Sequence, residues 1–197
     1  MMLHQSSISD EPAFVLSDWI CGAAPDQPDQ LTHLKLQKLA FYCYGGLLAF
    51  GLENSIGDMQ FEAWKHGPVS PVIFGRYHGF RASPLPRTST KPEIETRSET
   101  IMRHVLNVYG RLTGWQLREE SHEARPWSST FDGTPNKTIP KSDLIPFFRD
   151  KFAGPVVRFP ERLFGSSSLI LDRIPVPSFS SLEEMSIATT RILGEET

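Results

Sequence analysis

The stretch Leu34-Lys35-Leu36-Gln37-Lys38-Leu39-Ala40-Phe41-Tyr42-Cys43-Tyr44-Gly45-Gly46-Leu47 decides the fold. Leu36, Leu39, Ala40, Cys43 and Leu47 recur at helical spacing, which predicts a helix with one apolar stripe. Thr32 is placed to cap its start, and Gly51 suits its stop. Lys35 and Lys38 are expected on the flank of the stripe. Gly45-Gly46 permits a close backbone contact or a kink.

Upstream, residues 10–24 read as a helix capped by Asp10, with Pro12 in the first turn, where its missing N–H does no harm. Val15, Leu16, Trp19 and Ile20 form its apolar face, and residues 25–30 are a breaker-rich loop. Downstream, residues 59–65 alternate as a short strand with Phe61 and Ala63 on one side. Gly67-Pro68-Val69 is expected to turn sharply into a helix over 70–77 carrying Ile73 and Tyr77.

Residues 79–92 read as a Pro/Ser/Thr loop. Ile101, Val105, Val108 and Leu112 give the cleanest periodicity in the chain, predicting a helix over 98–112. A shorter helix over 115–122, a loop over 126–140 and a helix from Ser142 to Phe152 follow, the last containing an awkward Pro146. Beyond Gly154, two short strands (156–159 and 169–176) and a short amphipathic helix behind a Ser181/Glu184 capping box are expected. The predicted architecture is mainly α (α+β), a compact helical domain with a small β-sheet and a C-terminal extension.

With 197 residues, 39% hydrophobic and 22% charged, the chain has the composition of a globular domain rather than a disordered one. The net charge of −3 offers no basic stripe for phosphate chains, so direct nucleic-acid binding is not expected. Charge is nevertheless uneven. Residues 178–197 hold four acids against Arg191, while residues 76–103 hold six basic residues against three acidic ones. Such faces either lie in solvent or steer a partner.

No apolar run reaches the 18 residues a membrane span needs, and no signal-peptide layout opens the chain. Cys21 and Cys43 sit in apolar patterns and read as small buried hydrophobes, which suits a reducing, cytoplasmic setting.

Motifs that carry chemistry are few. None of the six histidines stands at metal-ligand spacing, no G-x-S-x-G elbow occurs, and the glycines lack a phosphate-loop context. No catalytic residue, metal or cofactor is assigned. One polar constellation stands out: Trp64-Lys65-His66 before the Gly-Pro turn, and His122-Glu123 before Pro126-Trp127. It admits three readings: acid/base machinery of an enzyme using His66, His122 and Glu123, a buried hydrogen-bonded network, or a recognition surface anchored by tryptophan.

These residues also carry a resemblance. Leu34-Lys35-Leu36-Gln37-Lys38-Leu39 with Tyr42 resembles the opening helix of the Panacea domain, which typically reads KLQKLLYY. Ala63-Trp64-Lys65-His66-Gly67-Pro68-Val69, with Tyr77 one helix on, is similar to its AW-x-x-GPV…Y block. His122-Glu123-Ala124-Arg125-Pro126-Trp127 resembles its H-x-x-x-PW block, and Ile139 with Phe147-Phe148 its closing aromatic helix. The blocks run in register from Leu31 to Phe152.

The matched core over residues 31–152 is expected to sit in a domain over residues 1–159 that includes the N-terminal helix, followed by an extension over 160–197 with a short amphipathic helix. The resemblance implies an antitoxin that neutralises a toxin encoded beside it by direct contact. In a SocA-like branch it implies an adaptor handing the toxin to the ClpXP protease. No membrane is implied as a partner. Lys35, Lys38, Tyr42, Trp64, His66, Gly67, Pro68, Tyr77, His122, Glu123, Pro126 and Trp127 are the candidate positions, as motif framework or as partner-binding surface.

Overall fold

The computed structural model describes residues 11–26, 29–89, 92–134 and 136–153. Expectations that fall on residues 154–197, together with the Asp10 cap, lie outside the described residues. Two helices, α1 (Glu11–Ala23) and α2 (His33–Phe50), open the described chain. In α1, Leu16, Trp19 and Ile20 are fully buried. The Thr32 side chain accepts from the Lys35 N–H at the start of α2, and Gly51 closes it in the left-handed conformation at φ 69°.

Fifteen of the eighteen residues of α2 are buried, so it is a central helix packed on all sides rather than an amphipathic one. Its neighbours include α1 and the later helices α3 (Pro71–Tyr77), α4 (Thr96–Tyr109), α5 (Gly114–His122) and α7 (Lys141–Ala153). The helix runs uninterrupted through Gly45-Gly46, and both glycines serve close packing. A Cβ on Gly45 would lie 2.3 Å from the Phe148 ring of α7, and one on Gly46 would lie 2.9 Å from Ile101 of α4. The aromatic core closes around this point, with Phe41 edge-on to Phe61 at 5.4 Å and to Phe148 at 5.0 Å.

Beside the helices lies a three-stranded antiparallel sheet of order β2-β1-β3, formed by β1 (Glu62–Trp64), β2 (Gly67–Val69) and β3 (Lys137–Thr138). The sequence placed the turn at Gly67-Pro68-Val69, whereas these residues form β2. Lys65 and His66 make the turn, and Ala63 pairs with Pro68. Proline is tolerated there because β2 is an edge strand.

The span expected to be a loop over 126–140 contains a short helix, α6 (Arg125–Thr130), as well as β3. Pro126 lies in the first turn of α6, where proline starts a helix as readily as it signals a loop. β3, at two residues, is too short to show alternation, and its pairing with Glu62 and Ala63 creates it.

Pro146 sits inside α7 and withholds a donor from the Ser142 carbonyl. Burial of Leu144 and Phe148 against the core outweighs that loss. The architecture is therefore mainly helical with a small sheet, as expected.

Gly45→Ala tests the central contact. Alanine favours an isolated helix by about 1 kcal/mol, yet overpacking against Phe148 should cost about 1–3 kcal/mol. A lowered midpoint of urea unfolding is expected, recovered in part by adding Phe148→Leu. An unchanged or raised midpoint for the single variant would show that the contact is not tight.

Candidate functional site

The polar residues of the opening motif are spent on backbone. Lys35 and Lys38, expected on the flank of α2, are both fully buried. The reason is that α2 is enclosed on every side, so even its polar positions face protein.

Lys35 Nζ lies 2.5 Å from Asp29 Oδ1, and Asp29 Oδ2 accepts from the Gly114 N–H at the start of α5 at 3.0 Å. Lys38 Nζ donates to the Pro68 carbonyl at 2.8 Å. Between the two lysines, Gln37 grips Ser70 at both ends. Its Oε1 accepts from the Ser70 N–H at 2.9 Å, and its Nε2 donates to the Ser70 carbonyl at 3.2 Å. β2 has no neighbouring strand on this side. The Gln37 and Lys38 side chains take the place of that strand for the Pro68 carbonyl and the Ser70 N–H, buried groups that would otherwise cost about 1–3 kcal/mol each, while the Ser70 carbonyl also accepts from the Phe74 N–H at 2.9 Å.

Burial, with a smaller contribution from Arg118, pushes the Lys38 ammonium down to about 7. Gly67 is required beside it. Its φ is +93°, and a Cβ there would stand 2.6 Å from Ser121 Oγ and 2.9 Å from Lys38 Nζ.

The two motif tryptophans have different tasks. Trp127 donates from Nε1 to the Trp64 carbonyl at 2.9 Å, tying α6 to the hairpin. Its ring stacks on His122 at 4.1 Å and on Phe131 at 4.9 Å. Trp64 is half-buried, donates to Glu62 Oε2 at 2.7 Å and leans on Phe74 at 4.7 Å. Tyr77 is buried and donates to Asp18 of α1 at 3.2 Å. Tyr42 lies buried and stacked on Tyr109 at 4.1 Å.

Pro126 is buried in the first turn of α6. It also lines a groove of about 410 Å³ between α6 and α7, together with Arg125, Ser129, Asp143, Pro146, Phe147 and Asp150.

His66 and His122 lie close enough for the first to act electrostatically on the second, but they differ in exposure. His66 is exposed at the hairpin tip, where its Nδ1 accepts from Arg118 Nε at 3.3 Å. His122 is half-buried face-on against Trp127. Burial first, then Arg118 and Lys38, hold its imidazole down at about 4, so it is neutral near pH 7. Glu123 is exposed at the end of α5.

Sequence reasoning missed Gln37 and Asp29, which hold the hairpin and α5 in place. It also missed an ion pair between the buried Glu120 and the half-buried Lys151 at 2.8 Å, whose ammonium sits 5.8 Å from the Tyr42 ring centre and 5.7 Å from that of Tyr109. The available signal was three polar residues, Lys35, Gln37 and Lys38, set into an otherwise apolar helix. Among the described residues no group of His, Cys, Asp and Glu could hold a metal ion, and no helix is long and apolar enough to cross a membrane.

The positions gathered around the hairpin fall in one matched region. Residues 36–128 match the family model of the Antitoxin SocA-like, Panacea domain. This stretch is similar to the Panacea domain. Gln37, Lys38, Ser70, Trp64 and Trp127 lie inside the match, whereas Lys35 and Asp29 precede it and α7 follows it. The chain is also similar to Antitoxin SocA of Caulobacter vibrioides (strain NA1000 / CB15N), at 28% identity over 125 residues. That similarity covers 57% of this chain and 65% of the relative, just under two thirds of its length. No solved structure matches.

Two measurements check this network. The folded chain holds Lys38 near 7, whereas the unfolded chain titrates it near 10.5. The unfolded state therefore binds the extra proton between those values. The full cost of burying the charge applies below pH 7 and is relieved as pH rises towards 10.5. Wild type should accordingly gain stability relative to Lys38→Met across this window. Parallel unfolding curves at every pH would contradict the assignment.

Trp127→Phe keeps an aromatic ring but removes the donor to the Trp64 carbonyl. A loss of about 1–3 kcal/mol in denaturant unfolding is expected.

Proposed function

We propose that this chain is an antitoxin acting as a non-catalytic binding protein, which neutralises a protein toxin encoded beside it by direct contact in the cytoplasm. Support comes first from the domain match over residues 36–128 and the antitoxin relative. The geometry is consistent with it. Lys35, Gln37, Lys38 and Trp127 are hydrogen-bonded to Asp29, Ser70, Pro68 and Trp64 respectively, which makes them a scaffold. A rigid scaffold leaves exposed loops and helix faces for recognition.

The enzyme reading gains nothing from the same geometry. The His122 ring is covered on one face by Trp127, His66 is committed to Arg118, and the groove between α6 and α7 includes neither histidine nor Glu123.

Delivery of the toxin to the ClpXP protease is the finer form of the proposal. It requires a second surface that stays accessible while the toxin is bound. The framework would lie within the domain at residues 1–159, and the extension over 160–197 would be free to supply specificity or that second contact.

Co-expression with the product of the adjacent gene tests the reading. Growth arrest by that product alone, rescue by this chain and recovery of a stable complex are expected. Arrest that persists at equal expression, with no complex recovered, would sink it. For delivery, purified ClpXP should degrade the toxin faster in the presence of this chain, and an unchanged half-life removes that part only.

A further inference from the structure

The tip of the β1–β2 hairpin and the outer face of α5 form a cluster that the scaffold does not use. Trp115 is 64% exposed, the most open of the large hydrophobic side chains on the described surface. The guanidinium of Arg118 lies 5.4 Å from its ring centre, and the His66 ring stands edge-on at 6.5 Å. Arg118 also donates to His66 and pairs with Glu119. Lys65, exposed at the turn, has no ion-pair partner among the described residues.

The platform beneath Trp115 is fixed at several points. Thr113 and Gln116 form a reciprocal capping box, with bonds of 3.2 and 2.8 Å. The Gly114 N–H is held by Asp29 at 3.0 Å, and Asp29 is held by Lys35. Tryptophan and arginine on such a rigid base are the residue types that dominate binding energy at protein interfaces, because little entropy is lost when they are covered.

The local field is positive. Burial first, and then Arg118, Lys65 and the buried Lys38, disfavour protonation of His66, so three cations act on this ring in one direction. Glu119 offsets part of Arg118 only.

We propose that Trp115, Arg118, His66 and Lys65 form the toxin-docking face, and that its occupant is an acidic segment of a protein partner. That segment covers the indole with an apolar side chain and sets carboxylates against Arg118 and Lys65. The inference rests on the reading that the chain binds a toxin. It commits to a protein rather than a nucleic acid because the face centres on the exposed Trp115 indole and offers only two surface cations, the half-buried Arg118 and the exposed Lys65, where a phosphate chain needs a basic stripe.

The test uses the full chain and the toxin encoded by the adjacent gene, with affinities measured by calorimetry at low and high salt. Trp115→Ala should weaken binding on the order of 30-fold or more. Its melting temperature should stay unchanged, because the side chain is mostly in solvent. Lys65→Glu should weaken binding on the order of tenfold at low salt, with the difference shrinking as salt screens it. Arg97→Glu, exposed on α4, serves as the control and should bind as wild type does.

If wild type binds and the Trp115 and Lys65 variants bind equally well, this face is wrong and the antitoxin reading stands. The face is also wrong if the α4 control weakens as much as Lys65→Glu. Absence of any wild-type complex overturns both. Titration of duplex DNA and single-stranded RNA should show no Trp115-dependent binding, and tight binding of either would replace the protein partner.

Discussion

The structure depends on how an enclosed helix completes an unfinished sheet. β2 is an edge strand that faces protein instead of water, so its outer carbonyls and N–H groups need partners from elsewhere. α2 supplies them, with the Lys38 ammonium on the Pro68 carbonyl and the Gln37 amide on Ser70 just beyond the strand, at distances of 2.8 to 3.2 Å. Burying an ammonium beside a carbonyl is expensive, and the depressed titration of Lys38 records that cost. The return is geometric. A side chain that must reach one particular carbonyl fixes the sheet against the helix in one register.

From that junction the rest of the domain is positioned by short links. Trp127 holds α6 to the last residue of β1, and Asp29 joins Lys35 to the first turn of α5. The Glu120–Lys151 pair and the Phe148 ring bring α7 onto the same core. Each link joins segments far apart in the chain. The outer face of α5 is thereby held rigid without using its own side chains, which is what a recognition surface needs from the scaffold beneath it.

The helical framework was largely legible because periodicity reports a local property. α1, α2, α3, α4, α5 and α7 appear close to where apolar spacing and caps placed them. What failed was local ambiguity. Pro126 reads equally as a loop breaker and as a helix starter, and Gly67-Pro68 reads as a turn until it is seen paired with Ala63 and Trp64. The candidate positions were drawn from their motif pattern, and among them Lys35 and Lys38 were placed on the wrong side of the boundary between solvent and core. A stripe rule treats every lysine on a helix as outward-facing, and it has no access to a helix surrounded on all sides.

Residue order alone therefore determined the class of the fold, its principal helices and the resemblance to the Panacea domain, since all three are carried by spacing along the chain. Tertiary structure decided which polar side chains are structural and which stand in solvent. It buried Lys38 and left Trp115 open, the reverse of what hydrophobicity suggests. The physical reason is that burial depends on which distant segments close over a residue, and that is a property of packing rather than of any local stretch.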